Sequence, residues 1–234
     1  DKLAIALNRK AKNLGLKLGD LLFEHVKTIR DNKILVYPSN YELYGNMSGD
    51  MHAELGSFVQ DIEITSIDEA FLDFTGYDNI DLAEYGHEII NTIRYGKWIP
   101  VALGIAPTKT LAKAANKLAK KTNNYQHGFY LIATEEDRRE ALKKTPLDDV
   151  WGIGRRFYKR IAAELRRDSG LTAYDFASMY QKRVRKLMGV VGELTWMELN
   201  GIQCYDFEFN VPDKDRIMTS RMLTPPITEY EEVL

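Results

Sequence analysis

The 234-residue sequence predicts an α+β fold, a small sheet with helices on one face followed by an all-α region. Three observations carry that expectation. Short alternating or apolar stretches interleave with amphipathic ones up to about residue 132; a tight strand-turn-strand spans residues 61–74; past residue 133 strand-like runs nearly vanish while helical spacing continues.

Taken in order, Leu3–Leu7 is a strand-like piece, and the basic stretch Asn8–Leu14 is expected as a helix stopped by Gly15. Ile34–Tyr37 is a second strand candidate. Pro38-Ser39-Asn40 then breaks the chain and caps a helix over Tyr41–Leu55, with Leu43, Met47 and Leu55 on its apolar stripe and His52 and Glu54 on its wet side. In the central stretch, Ile62 and Ile64 alternate with Glu63 and Thr65, and Ala70, Leu72 and Phe74 alternate with Phe71 and Asp73, which places the corner at Ser66–Glu69. Residues 81–95 form an amphipathic helix through Leu82, Tyr85, Ile89, Ile90 and Ile93. Pro100–Ala106 reads as a central strand, Pro107-Thr108 opens a helix to Lys121, and Phe129–Ile132 closes the pattern as a strand. Helices follow over 135–144 and about 154–168, 172–180 and 183–199, ending at Gly201. Asn210–Asp215 reads as a polar linker into Ile217–Leu223.

A hydrophobic content of 44% suits a packed globular protein, while a net charge of −2 gives no global nucleic-acid footprint, so any such role rests on local basic patches. The single cysteine, Cys204, excludes an internal disulfide framework and fits a cytoplasmic setting. No run has membrane-spanning length. The chain starts at Asp1 and stops within the structured-looking Glu229–Leu234, so both ends are expected to lie inside a longer protein.

Two stretches carry chemistry. Asp68 and Glu69 are neighbours, and neighbouring strand residues point to opposite faces unless they sit at a turn. At a hairpin tip they share one space, where their repulsion calls for a cation, and hard oxygen donors of this kind suit Mg²⁺. A solvated hairpin turn is the plain alternative. Val150-Trp151-Gly152-Ile153-Gly154 ahead of Arg155, Arg156, Lys159, Arg160, Arg166 and Arg167 has the form of a helix-hairpin-helix, in which glycines admit a phosphate to the amides of the following helix N-terminus. Between these two, the helix Thr108–Lys121 carries Lys109, Lys113, Lys117 and Lys120 largely on one side, and Lys120 stands where it can reach triphosphate oxygens held over the hairpin. Together the three describe a template-directed nucleotidyl transferase.

At these residues the chain resembles a family. Ser66-Ile67-Asp68-Glu69-Ala70-Phe71-Leu72-Asp73 looks like the palm signature of the Y-family translesion DNA polymerases, and Gly104–Lys113 is similar to their second palm motif. Ser39–Tyr44 and Asp148–Arg156 resemble the UmuC branch, the catalytic subunits of bacterial polymerase V. The resemblance implies fingers at 1–38, palm at 39–132, thumb at 133–208, and a linker with the start of the little finger at 209–234. It implies Asp68 and Glu69 as catalytic metal ligands of a two-ion Mg²⁺ site. Lys120, Lys12 and Arg9 are implied as triphosphate contacts, the last two standing where relatives have an arginine and a tyrosine. Gly152, Ile153, Gly154, Arg155 and Arg156 are implied to grip the DNA backbone. The family's third carboxylate and its ribonucleotide-excluding aromatic lie on a strand ahead of the fingers, so the metal site of these 234 residues is expected to be incomplete and the chain alone inactive. Implied partners are primer-template DNA and dNTP, a processed UmuD-like subunit, a recombinase filament and a sliding clamp.

Two other readings fit part of the pattern. A palm-type nucleotide cyclase also sets adjacent acids on a hairpin tip, although that class expects two glycines where this chain has Ser66-Ile67. A non-catalytic helix-hairpin-helix DNA-binding module would use the second region alone, binding duplex with steep salt dependence and no response to Mg²⁺ or dNTP.

Overall fold

The computed structural model describes residues 3–121, 128–209 and 217–218. The expected linker 210–215 and most of the segment to Leu223 lie outside those residues.

The α+β class is borne out. Helix α1 (Arg9–Asn13) is capped by the Asn8 side chain, which accepts from the Ala11 amide at 2.9 Å, and is released at Gly15 with φ +91°. A 3-10 turn (Leu22–His25) and α2 (Val26–Asp31) follow, neither foreseen from periodicity. Helix α3 (Tyr41–Gly56) is capped by Asn40, which accepts from Leu43. Strands β1 (Ile62–Ile64) and β2 (Ala70–Leu72) pair antiparallel, with Ile62 opposite Leu72 and Glu63 opposite Phe71. Helix α4 (Leu82–Lys97), capped by Asp81, buries Ile89, Ile90 and Ile93 as its spacing predicts. Strand β3 (Leu103–Ile105) pairs in parallel with β4 (Phe129–Leu131), and α5 (Lys109–Lys121) is the crossover between them. The second region holds α6 (Glu135–Lys144), α7 (Arg155–Leu165), α8 (Ala173–Ala177) and α9 (Gln181–Leu199). Among the described residues the strands form two separate pairs rather than one continuous sheet.

Three local expectations are overturned. Leu3–Leu7 is no strand, because its one ladder contact is an isolated bridge from Leu3 to Leu21; Ala4 instead ties into the Gly19–Asp20 turn. Ile34–Tyr37 is no strand either, since no strand among the described residues pairs with it and Leu35, Val36 and Tyr37 are exposed. On α3 the buried stripe falls at Met51 and His52, while Leu43 and Met47 face solvent and Glu54 meets Lys97 at 3.4 Å.

A hydrophobic core joins the two regions. Leu111, Ala115 and Leu118 from α5 and Ile132 pack with Leu142, Leu147, Val150, Ile161, Phe176, Val184 and Leu199, so the buried interior runs across residue 133. Beside it, Gly104 shows why β3 can lie so close to α5. A Cβ there would sit 2.2 Å from the Asn116 backbone nitrogen, and only glycine fits.

Candidate active site

The hairpin tip is built by its own backbone. The amides of Thr65 and Ser66 both donate to the Glu69 carbonyl, at 3.0 and 3.2 Å, which folds residues 66–69 back over the strand ends. Ser66 fixes the next acid, donating from Oγ to Asp68 Oδ1 at 2.8 Å and accepting from the Asp68 amide at 3.3 Å. Asp68 and Glu69 therefore share one space, as a turn allows and a regular strand does not. Both line a cavity of about 300 Å³ with β2, β3, Lys113, Asn116 and Lys120.

Helix α5 presents its lysines to this space and to the second region. Lys113 Nζ donates to Glu69 Oε2 at 2.9 Å and lies 4.9 Å from the centre of the Phe71 ring; Lys120 Nζ is 4.0 Å from Glu69 Oε1. One and two turns further on, Lys117 and Lys121 reach Asp149 at 3.1 and 2.8 Å, and these two ammonium groups, Lys121 first, hold the Asp149 carboxyl below the usual carboxylate range. Lys109, the first residue of the helix, is buried against Glu63. The lysine side is thus a row of carboxylate partners, buried at Lys109 and solvent-exposed from Lys117 onward. Of these, Lys109, Lys113 and Glu63 carry no site role in the sequence analysis. The available signal was the four-residue spacing of Lys109, Lys113, Lys117 and Lys121 opposite Leu111, Ala115 and Leu118, which puts four ammonium groups on one helix face.

His52, expected at the surface, is buried on α3 near the same tip. Burial pushes its pKa down against the opposing pull of Asp68; its Nδ1 lies 3.3 Å from Ser48 Oγ, and its Nε2 is buried without a hydrogen-bond partner. A histidine at a helix position gives no sequence signal for this, because the neighbours that enclose it come from elsewhere in the chain.

Two adjacent carboxylates beside an ammonium fit a hard divalent cation in kind. Glu69 already takes its charge compensation from Lys113, and both residues offer oxygen donors suited to Mg²⁺. Among the described residues no group of three or more histidine, cysteine, aspartate or glutamate side chains is placed to hold a metal. The structure brings Asp68, Glu69 and Lys120 together. It does not bring Arg9 and Lys12 to them: both are exposed on α1 and neither lines the cavity.

The third set of residues follows directly on Asp149, with the Trp151 ring 6.2 Å from that of Phe71 on β2. Ile153 is buried and its amide donates to the Val150 carbonyl at 3.0 Å, which turns Gly152 and Gly154 outward. Gly152 has φ +86°, and Gly154 is the N-cap of α7, so exposed Arg155 and Arg156 open a helix whose first amides face solvent. Phe157, Ile161 and Leu165 pack inward as their spacing predicts. Two of the arginines expected around the turn have structural partners instead. Arg160 donates to the Leu187 carbonyl at 3.1 Å, and Arg167 to Asp175 at 2.9 Å. A second glycine turn interrupts α9, where Gly189 has φ +75° and ψ −159° and Val190 and Val191 are exposed. Helical spacing over 183–199 predicts one continuous helix there, although Gly189-Val190-Val191-Gly192 has the same small-apolar-small form as the first turn.

The impB/mucB/samB family model matches residues 1–117. Among curated proteins the chain is 38% identical to protein UmuC of Salmonella typhimurium, aligned over 100% of this chain and 54% of that protein. It is 33% identical to protein SamB of Salmonella typhimurium over 99% and 54%, and 28% identical to DNA polymerase IV of Sulfurisphaera tokodaii over 94% and 59%. The chain spans about half the length of the curated relatives it matches. Among solved structures it is similar to an insertion ternary complex of Dbh DNA polymerase, at 26% identity and a TM-score of 0.66 over 85% of this chain and 56% of that one. A Y-family DNA polymerase chimera of Dbh and Dpo4 gives 26% and 0.68 over 88% and 58%. The matched residues 1–117 include the carboxylate hairpin and the first three lysines of the α5 row, and the chain belongs to the impB/mucB/samB family.

Proposed function

We propose that these residues are the fingers (1–38), palm (39–132), thumb (133–208) and linker with the start of the little finger (209–234) of a Y-family translesion DNA polymerase of the UmuC branch. The full-length protein joins a deoxynucleotide to a primer 3′ hydroxyl during error-prone repair of damaged DNA in the SOS response. The observation that carries this reading is the hairpin tip, where Asp68 and Glu69 line one cavity with Lys113 and Lys120.

Asp68 and Glu69 would hold Mg²⁺, which when bound supplies a lowered pKa at the primer hydroxyl and charge compensation at the leaving pyrophosphate. Lys113 keeps Glu69 turned toward the cavity. Lys120, more than half exposed, extends its ammonium over the same space as the contact for a triphosphate, with Arg9 and Lys12 the proposed contacts from the fingers. The exposed turn Gly152–Gly154, with Arg155 and Arg156, offers helix amides and positive charge to a duplex phosphate without reading sequence. Primer-template DNA and dNTP are the substrates; a processed UmuD-like subunit, a recombinase filament and a sliding clamp are proposed partners of the full-length cytoplasmic protein.

Primer extension tests this. The full-length protein is expected to extend a primer with Mg²⁺ and dNTP and to lose that activity as Asp68→Ala, while the 234 residues alone, with two of three expected carboxylates, extend no further than their own Asp68→Ala variant. Full-length protein without Mg²⁺-dependent extension, binding duplex with equal affinity whether or not Mg²⁺ and dNTP are present, would make the chain a helix-hairpin-helix binding module instead.

A further inference from the structure

The segment that leaves α9 is tied first to that helix itself and then to the first region at two points. The amides of Cys204 and Tyr205 donate to Glu198 Oε1 at 2.9 and 3.2 Å, the Asp206 carbonyl accepts from Lys109 Nζ at 2.6 Å, and the Glu208 amide donates to Glu63 Oε2 at 2.9 Å. Glu63 belongs to the hairpin, opposite Phe71 and five residues before Asp68. Lys109 closes the set. Its Nζ also donates to Glu63 Oε2, and its side chain, 8% exposed, runs between the rings of Phe71 and Phe207 with Nζ 5.2 and 4.9 Å from their centres.

Lysine is a poor choice for this position on helix grounds. As the first residue of α5 its charge opposes the helix dipole, and its burial removes the solvation that usually stabilises an ammonium. What compensates is specific: one carboxylate from the hairpin and one carbonyl from the returning segment, both met by the same ammonium, with aromatic faces on either side. Four residues on, Lys113 holds Glu69 at the other end of the hairpin, with the Phe71 ring between the two lysines. Trp151 extends the contact from Phe71 to Tyr205, with ring centres 6.2 and 5.5 Å apart.

We infer that Lys109 is a positioning residue that fastens segment 206–208 and the carboxylate hairpin to α5 as one unit, so that the setting of Asp68 and Glu69 depends on the path of the chain leaving α9. The catalytic meaning of that coupling rests on the polymerase reading; the coupling itself does not.

Hydrogen exchange followed by mass spectrometry on the 234-residue chain tests it, comparing Lys109→Met, Lys109→Arg and Glu63→Gln with the parent. Lys109→Met is expected to speed exchange at least about tenfold in peptides covering both 203–209 and 61–74, the scale of losing a charge-assisted hydrogen bond, and to leave 171–188 unchanged. Glu63→Gln, which keeps an acceptor and is the milder change, is expected to loosen the same two peptides together. Lys109→Arg, able to bridge a carboxylate and a carbonyl, is expected to restore both. Loosening of one peptide without the other, uniform acceleration across the chain, or an arginine variant indistinguishable from methionine would each overturn the inference. Exchange is read without nucleotide transfer, so the two readings fail separately: absent primer extension with coupled peptides removes the polymerase and keeps the coupling, and uncoupled peptides in a protein that extends primers do the reverse.

Discussion

Replacing Glu198 tests how the two regions are joined. This carboxylate is fully buried in α9, yet its partners are backbone amides from two other places: Thr110 in the first turn of α5 at 2.8 Å, and Cys204 and Tyr205 in the returning segment at 2.9 and 3.2 Å. Its own carbonyl accepts from Thr108 Oγ1 at 2.9 Å, and that hydroxyl also caps α5 by accepting from Leu111. Glu198→Ala removes an acceptor for three donors at once. A buried donor left unpaired costs about 1–3 kcal/mol, so the three losses sum to between about 3 and 9 kcal/mol. The variant no longer has to bury a carboxylate, which recovers on the order of 2–4 kcal/mol, so the net expectation is about 1–5 kcal/mol. At its upper end that is a large share of the ~5–15 kcal/mol typical of a domain. Glu198→Gln keeps one acceptor oxygen, enough for one side of the bracket, and is expected to lose about 1–3 kcal/mol. Urea unfolding followed by far-ultraviolet circular dichroism measures both. A loss below about 1 kcal/mol for Glu198→Ala would refute the reasoning, since it would mean that water satisfies these amides and the site is not closed.

Other consequences follow from single contacts. The folded-state pKa of Asp149 lies below its unfolded value, so its pairing with Lys121 and Lys117 stabilises the protein above about pH 4, and that contribution is lost as pH falls through the lowered folded value. Asp149→Asn is therefore expected to destabilise the protein at pH 7 by less than about 1 kcal/mol because both lysines are half exposed, read as a lower melting temperature, with the difference shrinking as the pH falls toward the lowered folded pKa and in high salt. At Gly152, φ +86° and a Cβ position 3.1 Å from Thr195 Oγ1 predict that Gly152→Ala costs about 1–2 kcal/mol in urea unfolding. Gly49, inside α3 with open space around its Cβ position, predicts the opposite sign: Gly49→Ala should stabilise by about 0.5–1 kcal/mol.

What could be read from the sequence was what depends on near neighbours. The corner at Ser66–Glu69, the stripe Ile89, Ile90, Ile93 on α4, the cap at Asn40 and the stop at Gly201 all follow from spacing or from a side chain acting within four residues, and the structure places each as expected. The errors are long-range. Ile34–Tyr37 has strand composition, but a strand exists only where another lies beside it, and no local pattern reports that neighbour. His52 was assigned by the polarity of its side chain and buried by packing from outside its own helix. The candidate site divides in the same way. Asp68 and Glu69 were legible because adjacency forces a turn. Lys109 and Glu63, 46 residues apart, were not, because each alone has the pattern of an ordinary surface charge.

That division explains why α5 is the organising element of the site rather than the hairpin alone. An amphipathic helix with an apolar side of Leu111, Ala115 and Leu118 is anchored in the core shared by both regions, and that anchoring fixes the azimuth of its opposite side. Lysines spaced by four along the other side then meet, in sequence, Glu63 and Glu69 on the hairpin and Asp149 just before the Gly152–Gly154 turn. One rotation angle sets all of these distances. A substitution that turned α5 by even one residue's arc, about 100°, would withdraw Lys113 from Glu69 and Lys117 and Lys121 from Asp149 together. The hairpin tip and the Gly152–Gly154 turn are therefore held in register by the packing of Leu111, Ala115 and Leu118, and damage to that apolar side is expected to disturb both although it touches neither.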